Sequence, residues 1–165
     1  MDNQYGGAVK VALGAALSSL LFIGCLKQDE FPKEPKVVFK SFEQFGDSSS
    51  LTISFTDGDG DVGLDAYDTA PPFDTSSVYY YNLFLEYDYL DNGEWTRVNF
   101  PLPLYYRIPR ITPTGQNKAL EGEIAVAIKP WPILPNDTIR FSVHMVDRAL
   151  HESNTVVSDA IKVVP

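Results

Sequence analysis

The sequence contains one cysteine, Cys25, in 165 residues, so no disulfide can close within the chain. A lone cysteine in an exported protein needs a use, whether as a free thiol, a bridge to another chain or a modification. Histidine is scarce too: His144 and His151 are the only two. With no second thiol, that scarcity argues against a structural zinc site, which draws its ligands from cysteine and histidine. Basic residues, 13 against 22 acidic ones, form no cluster, and the net charge is −9. This balance argues against a nucleic-acid partner, since phosphate neutralisation needs a basic patch. It argues equally against electrostatic docking on anionic lipid. Helical periodicity of useful length is missing after residue 30. The one long apolar run, Val11–Ile23, has thirteen residues, short of the roughly 20 that span a bilayer.

That run, with Lys10 just before it, suits the apolar region of a signal peptide. It ends in Phe22-Ile23-Gly24-Cys25, which resembles a bacterial lipobox with phenylalanine in the usual leucine position. The resemblance implies cleavage before Cys25, acylation of Cys25 and anchorage in a membrane. Buried acyl chains contribute about 0.8 kcal/mol per CH₂. The following Leu26-Lys27-Gln28-Asp29-Glu30 resembles the acidic export signal that sends lipoproteins of the Bacteroidota to the outer face of the outer membrane. The expected organisation is a signal peptide over 1–24, a lipidated cysteine and flexible tether over 25–35, and one folded domain over 36–165. Pro32 and Pro35 hold the tether extended.

From Val37 onward the apolar pattern has period two. Leu51, Ile53 and Phe55 alternate with hydroxyl residues, and Leu83, Leu85, Tyr87 and Tyr89 share one face. Asp91-Asn92-Gly93 reads as a tight hairpin turn, with Glu94–Phe100 returning. Ile124, Val126 and Ile128 form a further set, Ile139, Phe141, Val143 and Met145 another, and Val157–Val163 closes the chain. Seven or eight short strands predict an all-β fold, a single two-sheet sandwich of immunoglobulin or fibronectin III type. In that arrangement 51–56 is strand B, 78–90 C, 138–147 F and 155–163 G. The B–C and F–G loops then share one end of the sandwich.

The segment Asp57-Gly-Asp59-Gly-Asp61-Val-Gly-Leu-Asp65 follows strand B. Four carboxylates this close repel one another by about 1 kcal/mol per neighbouring pair even at aqueous screening. The interleaved glycines let alternate side chains converge, and a hard cation such as Ca²⁺, which takes six to eight oxygens, relieves the repulsion. The loop resembles the start of an EF-hand, but Val62 stands where the turn glycine belongs, Asp68 replaces glutamate at position twelve, and no helices flank it. Only the metal chemistry carries over, with affinity of about 10⁻⁴–10⁻³ M as in extracellular modules. If the shared-end inference holds, Asp147, Glu152 and Asn154 lie near the aspartates, and Asp147 is the expected fifth ligand beside Asp57, Asp59, Asp61 and Asp65.

Other constellations are weaker. Ser142, His144 and Asp147 lie on one strand without a nucleophile elbow or oxyanion loop, so no enzyme is expected. Trp95 and Trp131 are the rings best placed to stack on a ligand, Trp131 between Pro130 and Pro132. Asp68-Thr69-Ala70 and Asp137-Thr138-Ile139 resemble the O-glycosylation signal of Bacteroidota export proteins, with Thr69 and Thr138 as acceptors.

Together, the lipobox, the TISFTDGDGDVGL segment and the closing RFSVHMVDRALHESNTV segment resemble small uncharacterised surface lipoproteins of the Bacteroidota, a group that brings no activity with it. The expected function is a non-catalytic, calcium-stabilised binding or accessory subunit of a larger outer-membrane assembly, lipid-anchored and facing the cell exterior. A carbohydrate-binding lipoprotein of a glycan-uptake system is the alternative.

Overall fold

A computed structural model describes residues 31–46, 48–111, 113, 116–128 and 138–163. Cys25 and Trp131 lie outside the described residues. The fold is all-β. Strands β1 (Lys36–Phe45), β2 (Ser48–Asp57) and β6 (Leu120–Ile128) form one antiparallel sheet in the order β1-β2-β6. The second sheet has the order β4-β3-β7-β8, built from β4 (Glu94–Arg97), β3 (Leu83–Asp91), β7 (Thr138–Met145) and β8 (Val156–Val157). Two short strands join it: β5 (Leu104–Tyr106) pairs with β3, and β9 (Ile161–Lys162) pairs with β7. Among the described residues no helix is long and apolar enough to cross a membrane.

The two sheets close on one core because period-two alternation sends alternate residues inward. Leu51, Ile53, Phe55, Ile124, Val126 and Ile128 from the first sheet meet Leu83, Leu85, Tyr87, Ile139, Phe141, Val143 and Met145 from the second. Each fully buried aliphatic or aromatic side chain contributes about 1.5–3 kcal/mol. In β1 the inward residues Phe39 and Phe42 are three apart, which strict alternation forbids. The register shift around Lys40 reconciles them, and Phe42 reaches Phe141 at 5.6 Å between ring centres.

Three segments depart from the sequence reading. Residues 78–80 form a 3₁₀ turn rather than the start of a strand: the Ser77 hydroxyl accepts from the Tyr79 N–H, the Tyr80 N–H donates to Ser77 O, and β3 starts only at Leu83. The strand expected over 94–100 stops at Arg97, since Pro101 and Pro103 carry no N–H for a ladder. The chain rejoins the same edge of β3 as β5, pairing Leu85 with Leu104. The closing strand is split in two because Ser158 intervenes: it donates its N–H to Phe141 O and accepts the Phe141 N–H on its own buried hydroxyl. The hairpin turn falls where expected, with Asn92 and Gly93 at φ 49° and 88° between paired Asp91 and Glu94.

Candidate metal centre

The alternation that buries Leu51, Ile53 and Phe55 carries one step further to Asp57, the last residue of β2, which is 0 % exposed. A carboxylate is thus driven into the end of the sandwich by the register of its strand. The chain then curls: the N–H groups of Asp59 and Gly60 donate to Asp57 Oδ1 at 3.1 and 2.8 Å. Val62 and Leu64 plunge back into the interior at 0 % and 3 % exposure. Val62, which departs from the EF-hand pattern, is therefore a core residue that pins the loop. At the same end, β7 runs out at Met145, and the turn that follows places Asp147, 2 % exposed, against the curl. The Arg148 N–H donates to Asp61 O at 3.3 Å and joins the two segments.

One oxygen from each of Asp57, Asp59, Asp61 and Asp147 lies within 4.8 Å of the others, an arrangement that can hold a metal ion. Asp57 Oδ2, Asp59 Oδ1 and Asp61 Oδ1 are buried and accept no hydrogen bond. A buried acceptor without a partner costs about 1–3 kcal/mol. Two carboxylates 4.8 Å apart repel by about 3.5 kcal/mol at an effective dielectric of about 20. Burial pushes the Asp57 carboxyl up to about 6, opposed by the Gly60 N–H and reinforced by the charges of Asp61 and Asp59. Asp61 is raised by burial and then by Asp147 and Asp59.

The rest of the acidic segment is treated differently. Asp65 lies 2.9 Å from Arg110 and 3.8 Å from Arg148, and Asp68 is paired with Arg148. Arg107 donates to the backbone carbonyls of Asp65 and Asp68 at 2.9 and 2.8 Å. The hydrogen bond from Arg148 holds Asp68 below the usual carboxylate range. Among the described residues no lysine or arginine pairs with Asp57, Asp59, Asp61 or Asp147. Only His151 approaches: its N–H donates to Asp147 Oδ1, and its Nδ1 lies 2.8 Å from Oδ2. That hydrogen bond raises the His151 pKa. The chain thus carries its own cations to one half of the acidic segment, and among the described residues it brings no lysine or arginine to the other half.

Four of the five expected ligands therefore meet, Asp147 among them, and Asp65 does not. Asn154 is occupied elsewhere, bonding Val37 N and O at 2.9 Å each. His144 stacks on Phe84 with ring centres 4.8 Å apart, while Asp147 is bonded to His151. Trp95 is half-buried, and the Arg140 guanidinium sits 4.4 Å from its ring centre, covering one face. Thr69 lies in an exposed loop, whereas Thr138 is half-buried at the start of β7 and paired with Lys162. The residues that sequence reasoning missed are Arg107, Arg110, Arg148 and His151. Only Arg148 and His151 carried a signal, their nearness to Asp147 in the chain.

The pH dependence follows from the direction of these shifts. A carboxyl raised in the folded state adds stability below its unfolded value of 3.8 and loses it as the pH rises through about 6. A bound cation supplies at neutral pH what protons supply in acid. If the cluster takes up a cation, the rise in melting temperature that the ion brings should therefore be largest near about pH 7.5 and should shrink steadily below about pH 6 as protons compete for the carboxylates. Thermal unfolding across that range checks it.

No family model matches this chain, and no curated protein or solved structure is similar enough to count as a match.

Proposed function

We propose that this chain is an exported lipoprotein, akin to the surface lipoproteins of the Bacteroidota, held on the outer face of the outer membrane through acylated Cys25. Its immunoglobulin-like sandwich is a calcium-braced, non-catalytic binding or accessory subunit of a larger membrane assembly. The observation that carries this reading is the convergence of Asp57, Asp59, Asp61 and Asp147, with three buried oxygens that no protein group satisfies. An all-oxygen, four-carboxylate donor set suits Ca²⁺ over softer metals, because hard cations take oxygen ligands in flexible geometry. The ligands come from the end of a core strand and from a turn beyond another, so the ion would tie the two sheets together. The Phe22–Cys25 and Leu26–Glu30 segments support the location.

The experiment is fractionation in a bacterial host that acylates lipoproteins. Wild-type protein should carry an acyl mass at Cys25, partition with outer membranes and co-purify with a stoichiometric partner in mild detergent. Cys25→Ser should lose the label and the membrane association together. A mature wild-type chain without acyl groups, or one that purifies alone, overturns the assignment.

A further inference from the structure

Residues 31–35, read from the sequence as plain linker, are not free of the domain. The Gly58 N–H, inside the acidic curl, donates to Pro32 O at 2.8 Å. The approach is so close that a Cβ on Gly58 would sit 2.1 Å from Phe31 O and 2.6 Å from Pro32 O. Pro35 is buried. Two residues on, the Val37 N–H donates to Asn154 Oδ1 and Asn154 Nδ2 donates to Val37 O, both at 2.9 Å. Asn154 lies seven positions after Asp147, on the segment that brings the fourth carboxylate. Both chain segments that supply ligand oxygens thus also grip the root of the N-terminal segment, one at Pro32 and the other at Val37.

We propose that the cation bound by Asp57, Asp59, Asp61 and Asp147 locks residues 31–35 onto the sandwich, ahead of the first β1 pair, and that its loss releases them. This rests on the calcium reading above. Without the ion, mutual repulsion of the four carboxylates favours opening of the curl and the turn, and each opening removes a grip on the root. Lys33, exposed, then lies on a strip of chain loose enough to enter a protease, and a cut there frees the domain from everything N-terminal to it. The metal site is accordingly a calcium-dependent guard over the point where the domain joins its anchor.

The test digests the full chain in detergent with endoproteinase Lys-C and follows cuts after Lys33 by mass spectrometry, in calcium and in chelator. Cleavage tracks the open population, and a ligand specific to the closed state suppresses that population by one plus the ratio of its concentration to its Kd. Calcium at about ten times its Kd should therefore slow these cuts about tenfold. Terbium luminescence on the same samples reports whether an ion binds at all. If terbium binds, calcium displaces it and the cuts are equally fast with and without calcium, the guard is wrong and the metal site stands. If no ion binds, both readings fall. Gly58→Ala leaves all four carboxylates in place but forces Phe31–Pro32 away, so it should be cut quickly even with the ion bound. Protection of Gly58→Ala in its ion-bound form would overturn the proposal.

Discussion

In chelator at neutral pH, Asp57→Asn should be at least as stable as the wild type; in saturating calcium it should be the less stable protein by about 2–3 kcal/mol. The reversal of sign follows from what surrounds the side chain. In the metal-free protein the Asp57 carboxyl is fully buried, raised to about 6 by its burial and its acidic neighbours, and left with one oxygen unsatisfied. An isosteric amide removes a like charge and offers an N–H₂ group to neighbouring carboxylate oxygens, so nothing favourable is lost. With calcium the balance turns over. A ligand at about 100 times its Kd stabilises the folded state by about 2.7 kcal/mol, and removing a charged, buried ligand forfeits most of it. For a domain of this size that amounts to roughly 10 °C in melting temperature. Asp147→Asn should lose the calcium-dependent rise in the same way. Asp65→Asn is the control: its carboxylate already faces Arg110 and Arg148, so the rise should be intact. Thermal unfolding of the four proteins, each in calcium and in chelator, measures all of this. A full calcium response in Asp57→Asn would remove Asp57 from the site.

How much of this was legible beforehand depends on whether the cause was local. Period two is local, so the core sets of β2, β3, β6 and β7 could be read directly, and with them the inward direction of Asp57. The meeting of Asp147 with the Asp57–Asp61 curl was also legible, but only through fold topology, since loops that share an end of a sandwich bring together residues about ninety positions apart. What stayed hidden was set by partners with no pattern of their own. Asp65 looked as good a ligand as Asp61, and what separates them is Arg107, Arg110 and Arg148, which arrive from irregular segments that no periodicity describes. The 3₁₀ turn at 78–80 was masked by Tyr79-Tyr80-Tyr81, residues that favour strands, because capping by Ser77 prevailed over propensity. Trp95 looked like an open platform because nothing near it in sequence announces Arg140, which meets it across the sheet.

The same sheet holds the second large effect. Asp88 should be the most costly polar side chain to neutralise outside the four-aspartate cluster, with Asp88→Asn losing about 2–3 kcal/mol whether or not calcium is present. It lies on the outward face of β3 yet is only 3 % exposed. Its direct cross-strand partners are Arg97 on β4 and Arg140 on β7, whose Nε atoms reach its two oxygens at 2.5 and 2.9 Å. Arg97 also pairs with Glu86, and Arg140 lies against Trp95, so one carboxylate organises the outer surface of three strands. The amide keeps the shape and loses the charge, leaving two guanidinium groups in mutual repulsion. Solvent reaches Arg97 and moderates the loss, which keeps it below the 3–5 kcal/mol typical of a fully buried broken pair. Burial pushes the Asp88 carboxyl up, but the hydrogen bonds from Arg97 and Arg140 outweigh it and hold the group below its usual value of 3.8. Stability from Asp88 is therefore present above the ordinary carboxylate range and disappears as the pH falls through that depressed value, opposite in sign to the contribution of Asp57. Asp88→Asn should accordingly flatten the acid limb of the stability profile and leave the calcium response intact, since contributions from separated sites add. Chemical unfolding of wild type and variant between about pH 3 and pH 7 separates the two carboxylates; a loss under about 0.5 kcal/mol, the level of an ordinary surface substitution, would show that the arginines do not depend on it.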